Sequence, residues 1–163
     1  MPSGLSVDIE NEFRVLGQEA ELLAEALQGL QDREFHETAA QRWIETAGVA
    51  AAVEKIYSGC ERVLLLIAKH VDGAPIDKAD AWHATLLNRM VNAYPGVRLP
   101  VLSEDCKSTL DRFRSFRHRV RNNYGISLDH DVVLERAAEV EGALGTFRKE
   151  VTVFIQAWTE QNS

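Results

Sequence analysis

Gly48 to Val71 reads GVAAAVEKIYSGCERVLLLIAKHV, and this stretch decides what kind of fold the chain can make. Val49, Val53, Ile56, Cys60, Val63, Ile67 and Val71 return every three or four residues, the spacing of one face of an α-helix. The segment is apolar on more than one side, so the helix belongs at the centre of its fold, with partners around it. Its pattern runs back to about Glu37, and Asp72-Gly73-Ala74-Pro75 ends it by ordinary stop chemistry.

Upstream, Ile9, Phe13, Leu16, Ala20, Leu23, Leu27 and Leu30 alternate spacings of four and three, which predicts a long amphipathic helix over residues ~5–30. Asp32 to Phe35 read as a short break. Downstream, a shorter helix is predicted from Lys78 to Ala93, ended by Tyr94-Pro95-Gly96. The link GVRLPVLS is extended, and Ser103 is placed to cap the helix after it. Gly125 closes that helix, and Asp129 or Asp131 caps the last one. Val133, Ala137, Val140, Leu144, Phe147, Val151, Phe154 and Trp158 mark a final long amphipathic helix. No strand pattern or internal repeat is visible. The expectation is all-α: an up-and-down bundle of four long helices plus one short helix, as a single domain over residues 1–163.

A chain of 163 residues can bury roughly two-thirds of its unfolded surface in one core. Cys60 and Cys106 form no metal or redox pattern and read as reduced core thiols of a cytoplasmic protein. No signal peptide is recognised, and no apolar run approaches the ~18–20 residues of a membrane span. The formal net charge of −7 argues against diffuse coating of nucleic acid, so any such contact must be focused.

The focus is Arg112 to Gly125, RFRSFRHRVRNNYG, with five arginines and no acidic side chain between Asp111 and Asp129. Leu110, Phe113, Phe116, Val120 and Tyr124 keep helical spacing through it. At ~100° per residue, Arg117 falls in the middle of that apolar arc, with Tyr124 within ~20° and Arg121 ~40° to one side. His118 and Asn122 point together toward the flank. An arginine aimed into an apolar face must find a carboxylate, carbonyls or an anion, because burying it unpaired costs several kcal/mol. Glu61 is a candidate partner for it, or else an exposed partner for neighbouring Lys or Arg. Two readings of the stretch remain: a structural ion-pair helix on an acidic bundle, or a phosphodiester-binding site. In the second, Arg offers a planar fork to phosphate, Tyr a stacking face, and His a proton near neutral pH. Trp82-His83 reads chiefly as a cap-and-core pair. The five histidines make no HExxH or Cys/His cluster, so neither metal nor cofactor is expected, and glycine-rich phosphate loops and GxSxG elbows are absent.

At Arg117-His118-Arg119-Val120-Arg121-Asn122-Asn123-Tyr124 the sequence resembles the HEPN superfamily, and specifically the HepT-like toxins. Their signature is an Arg, usually followed by a polar residue, then a few residues, a His, one residue more and a Tyr, late in a helix of a helical bundle. Arg117 matches the arginine, His118 the polar second position and Tyr124 the tyrosine. IYSGCERVLLLIAKHVDG looks like the family's central helix, with Tyr57 and Glu61 four residues apart, and WHATLLNRM and YGISLD add to a likeness over roughly residues 40–135. Asn122 departs from it, standing where the family has histidine, and Asn is no general acid or base near pH 7. Three explanations stay open: His118 carries the proton, the chain is an inactivated toxin, or it is a catalytically inactive RNA- or nucleotide-binding module.

The resemblance implies a metal-independent RNA endonuclease toxin of a toxin–antitoxin system. It implies a homodimer whose arginine helices build one cleft, and attack by the ribose 2′-OH to leave a 2′,3′-cyclic phosphate and a 5′-OH. Arg117, His118 and Asn122 are then the catalytic candidates, with Arg114, Arg121 and Tyr124 toward the substrate. The implied antitoxin is an MNT-type nucleotidyltransferase that adds AMP to the motif tyrosine, here Tyr124. A plain helical interaction protein is the remaining reading.

Overall fold

Local chemistry sets most helix ends. Thr38 accepts from the amide of Gln41, and the Gln41 side chain bonds back to the amide of Thr38, a reciprocal cap that opens the longest helix. The computed structural model describes residues 3–33, 38–122 and 128–163. Among these residues the chain forms α1 (Gly4–Gln31), α2 (Ala39–His70), α3 (Trp82–Val91), α4 (Glu104–Asn122), α5 (His130–Ala138) and α6 (Val140–Gln161). It is an all-α bundle, and α2 runs through its middle with α1, α3, α4 and α5 against it. Val63, Leu64, Ile67 and Ala68 of α2 are fully buried, which is what an α2 apolar on several sides requires. Phe13 of α1 meets Phe147 of α6 edge-on, their ring centres 6.0 Å apart.

Two element boundaries differ from the sequence expectation. The predicted final helix is two helices that meet at Glu139, where the backbone (φ −82°, ψ −14°) turns the amide toward the Arg136 carbonyl at 3.2 Å. So among the described residues the bundle has four long helices and two short ones. The short helix α3 begins at Trp82 rather than Lys78, because Ala81 before it takes a left-handed conformation (φ 60°, ψ 18°) and no side chain caps the helix. Ser103 does cap α4, accepting from Cys106 at 3.1 Å, and Glu150 of α6 in turn accepts from the Ser103 amide and hydroxyl at 2.8 and 2.6 Å. Asp129 caps α5. The predicted stop at Gly125 lies outside the described residues. Among those that are described, no helix is long and apolar enough to cross a membrane.

The extended link between α3 and α4 carries a buried charge that the sequence did not announce. Arg98 has a side chain only 1 % exposed, and it donates to both oxygens of Asp72, at 2.5 and 3.1 Å. Its remaining N–H groups reach the carbonyls of Asn92 and Leu99, both at 3.1 Å, and of Arg89 at 3.3 Å. One guanidinium therefore ties the end of α2 to the far end of α3 and to the chain leading into α4. Replacing one partner of such a pair strands the other charge. Arg98→Met is expected to cost about 3–5 kcal/mol in urea unfolding, far more than removing an exposed pair such as Lys55–Glu19.

Candidate functional site

Glu54, Tyr57, Ser58 and Glu61 stand at i, i+3, i+4 and i+7 on α2, so they form one stripe along the helix. Arg117 of α4 lies across it. Its Nε is 3.3 Å from Ser58 Oγ and 3.9 Å from Glu54 Oε1, and its Nη1 is 3.3 Å from His83 Nε2. The side chain is 15 % exposed, sheltered yet open at one edge. The position predicted from the helical arc is thus observed, and the partners come from α2 and α3.

Behind Arg117 is a buried relay. Glu61, 3 % exposed, accepts from the Tyr57 hydroxyl at 2.9 Å, and the same Oε2 is 2.5 Å from His83 Nδ1. Burial, then the charge and hydrogen bond of Glu61, push the Tyr57 phenol far above the ordinary tyrosine range, so it stays a donor. His83 stacks on Trp82 with ring centres 3.8 Å apart, and the ammonium of Lys78 lies 5.2 Å from the Trp82 ring centre. A carboxylate on Nδ1 and a guanidinium on Nε2 are both satisfied by one protonation state: Nδ1–H donates to Glu61, and the Nε2 lone pair accepts from Arg117. Glu61 therefore serves the inward arginine through an imidazole rather than directly.

The other predicted site residues have four separate placements. Arg121 joins Arg117 at Glu54, ion-paired to Oε1 while staying exposed. Arg114 is held by Asp111 at 2.8 Å on its own helix. His118 and Asn122 meet on the exposed flank, where Asn122 Nδ2 is 3.1 Å from His118 Nδ1 and donates to the His118 carbonyl at 2.8 Å. Among the described residues no hydrogen bond links that pair to Arg117. Tyr124 lies outside the described residues. Missing from the sequence reading are Glu54, Ser58 and above all His83, which was assigned to capping and core. Spacing on α2 could have found the first two, since they share the stripe with Tyr57 and Glu61. Nothing in the sequence places α3 against that stripe. Among the described residues no group of three or more His, Cys, Asp or Glu side chains gathers as a metal site.

The buried acids set a pH dependence. Burial, with Glu150 second, pushes the Cys106 thiol up to about 12, and burial raises Cys60 as well, alongside Tyr57. Folding keeps these three groups protonated, while the unfolded chain releases their protons above the ordinary thiol and phenol values near 9 and 10. Their stabilisation is complete below those values and is lost as pH rises beyond them. Unfolding free energy measured by urea titration should therefore fall from about pH 9 upward. Tyr57→Phe should flatten the part of that slope above about pH 10 and leave the thiol part in place.

A family described as HepT-like protein matches residues 48–158, from the first half of α2 to the last turn of α6. The match takes in every residue of the relay and all of α4, and leaves α1 outside. No curated protein and no solved structure matches the chain. With two-thirds of its length matched, including the helix that carries Arg117, the chain belongs to the HepT-like family.

Proposed function

We propose that this HepT-like protein is an RNA endonuclease that works without a metal ion, the toxin of a toxin–antitoxin pair, with tRNA among its substrates. The observation that supports the reading is Arg117: a cation held at the mouth of a mostly buried relay, at the position where the sequence resembles the family's Arg-polar motif. In this reading Arg117 binds the scissile phosphate and stabilises charge that develops on it in the transition state. Arg121 and Arg114 contact flanking phosphates, for which they must leave Glu54 and Asp111. His118 moves a proton, and Asn122, hydrogen-bonded to it, orients the 2′-hydroxyl or the phosphate. Two copies meet through their α4 helices to complete one cleft.

The antitoxin is an MNT-type nucleotidyltransferase, and Tyr124 is the acceptor of its AMP. Adenylylation there adds bulk and negative charge beside the arginines, which excludes RNA by sterics and repulsion. Asn122 in the place of the motif histidine favours a second reading, an inactive module that binds RNA or nucleotide without cutting.

Cleavage of a total tRNA pool by the purified full chain in EDTA separates the two. The nuclease reading expects fragments ending in 2′,3′-cyclic phosphate, and a loss of about 10²–10³-fold in Arg117→Ala. His118→Ala should also stop cleavage while leaving the fold intact. If only Asn122→His cuts, the chain is a binding module descended from the same enzyme. If the protein retains tRNA with steep salt dependence and neither form cuts, the nuclease reading fails.

A further inference from the structure

A transesterification by the 2′-hydroxyl needs two proton movements, one away from O2′ and one onto the departing O5′. Among the described residues the exposed flank offers a single imidazole for both, and no carboxylate there is hydrogen-bonded to His118 to fix its tautomer: its ring contact is the Asn122 amide. The relay supplies what the flank lacks. We infer that His83, oriented by Glu61, is the general base of this site and takes the proton of the 2′-hydroxyl at Nε2. The inference rests on the nuclease reading above and deepens it.

The geometry of His83 is that of a prepared base. Its Nδ1 is 2.5 Å from a buried carboxylate, which fixes the tautomer, aims the ring and accommodates the imidazolium that forms. Its Nε2 carries the lone pair and faces Arg117 at 3.3 Å. The His83 side chain is 24 % exposed, so the ring borders the open edge of the site while its other nitrogen stays inside. Trp82 fixes the plane of the ring by stacking. The charged and titratable groups around it are Glu61 and Tyr57 from α2, Arg117 from α4 and Lys78 over the Trp82 face, with Glu54 and Arg121 beyond Arg117.

At rest, the cationic guanidinium occupies Nε2. A phosphate is the stronger partner for an arginine, and when it binds Arg117 the lone pair is released beside it. The 2′-oxygen is next to the phosphorus it attacks, so a base that touches the phosphate-binding arginine is within reach of the 2′-hydroxyl. The O2′–H bond breaks and its proton goes to Nε2. The O2′–P bond forms, the P–O5′ bond breaks, and O5′ takes a proton from His118 in its protonated form. The products are a 2′,3′-cyclic phosphate and a 5′-hydroxyl; His83 then releases its proton to water and His118 regains one from water, so both imidazoles are reset and no net proton is gained or lost. Asn122 is then no defect of the site, because the base stands on α3.

The test uses the full chain, a total tRNA pool and EDTA. His83→Gln keeps a donor for Glu61 and an acceptor for Arg117, so it preserves the hydrogen bonds and removes only the titration. It is expected to cut about 10²-fold more slowly or worse, with unchanged melting temperature and unchanged tRNA retention on filters. His83→Ala should regain part of its cleavage with added imidazole, and Arg117→Ala should not. If His83→Gln cuts within about threefold of the unaltered protein, or loses tRNA binding along with cleavage, the base assignment is wrong and the nuclease reading stands. Failure of imidazole to restore His83→Ala assigns the ring to structure and equally overturns it. An unaltered protein that cuts no tRNA removes the nuclease reading, and this inference with it.

Discussion

A carboxylate inside an apolar helix face has to be answered by donors, and at Glu61 that requirement shapes the middle of the molecule. One donor, Tyr57, comes from the preceding turn of α2 and needs no tertiary structure. The second, His83, has to be carried there by another helix. Once it arrives, its far nitrogen needs a partner too, and Arg117 of α4 provides one. A single buried charge thus fixes α3 and α4 against α2 through directional contacts, where packing alone would allow them to slide. Burying Glu61 is costly on its own terms. A conserved volume of leucine would hold these helices together as firmly, but it would not specify which nitrogen of His83 points outward.

The electrostatics of the site follow from the same arrangement. An acidic chain has gathered five arginines on one helix, and it has set carboxylates against most of them: Glu54 with Arg117 and Arg121, Asp111 with Arg114, Glu139 with Arg112. The exposed pairs among these are worth little and are screened by salt. They keep the guanidiniums in place without committing them. Arg117 differs, since Ser58 and His83 are its nearer partners and both are neutral, which leaves most of its charge for a ligand.

Much of this was legible in the sequence wherever the physics is local. The three-and-four spacing of Val49 to Val71 gave the central helix, and the arc through Leu110, Phe113 and Phe116 put Arg117 on the inner side of α4. Ser103 was a recognisable cap, and the next was narrowed to Asp129 or Asp131, because a cap depends on neighbours two or three residues away. The break at Glu139 escaped because Val133, Ala137, Val140 and Leu144 keep the same spacing across it, and a turn that preserves the apolar phase leaves no mark on periodicity. Arg98 looked like one more charge in a loop, since its five oxygen partners lie on Asp72 and on carbonyls brought together only by folding. His83 escaped for the same reason. A lone histidine at the start of a short helix carries no sequence sign of what it will face.

Ala81 shows what the chain gives up to aim that histidine. A left-handed backbone suits glycine, and an alanine held there costs about 1–2 kcal/mol. The strained peptide immediately precedes Trp82 and His83, so it sets the direction in which α3 leaves its loop. Glycine at this position would rest more comfortably but would also let the first turn of α3 swing, and the imidazole with it. The methyl group of Ala81 narrows that swing. Precision at the site and ease of folding are therefore opposed at one residue, and this sequence has settled the contest in favour of precision.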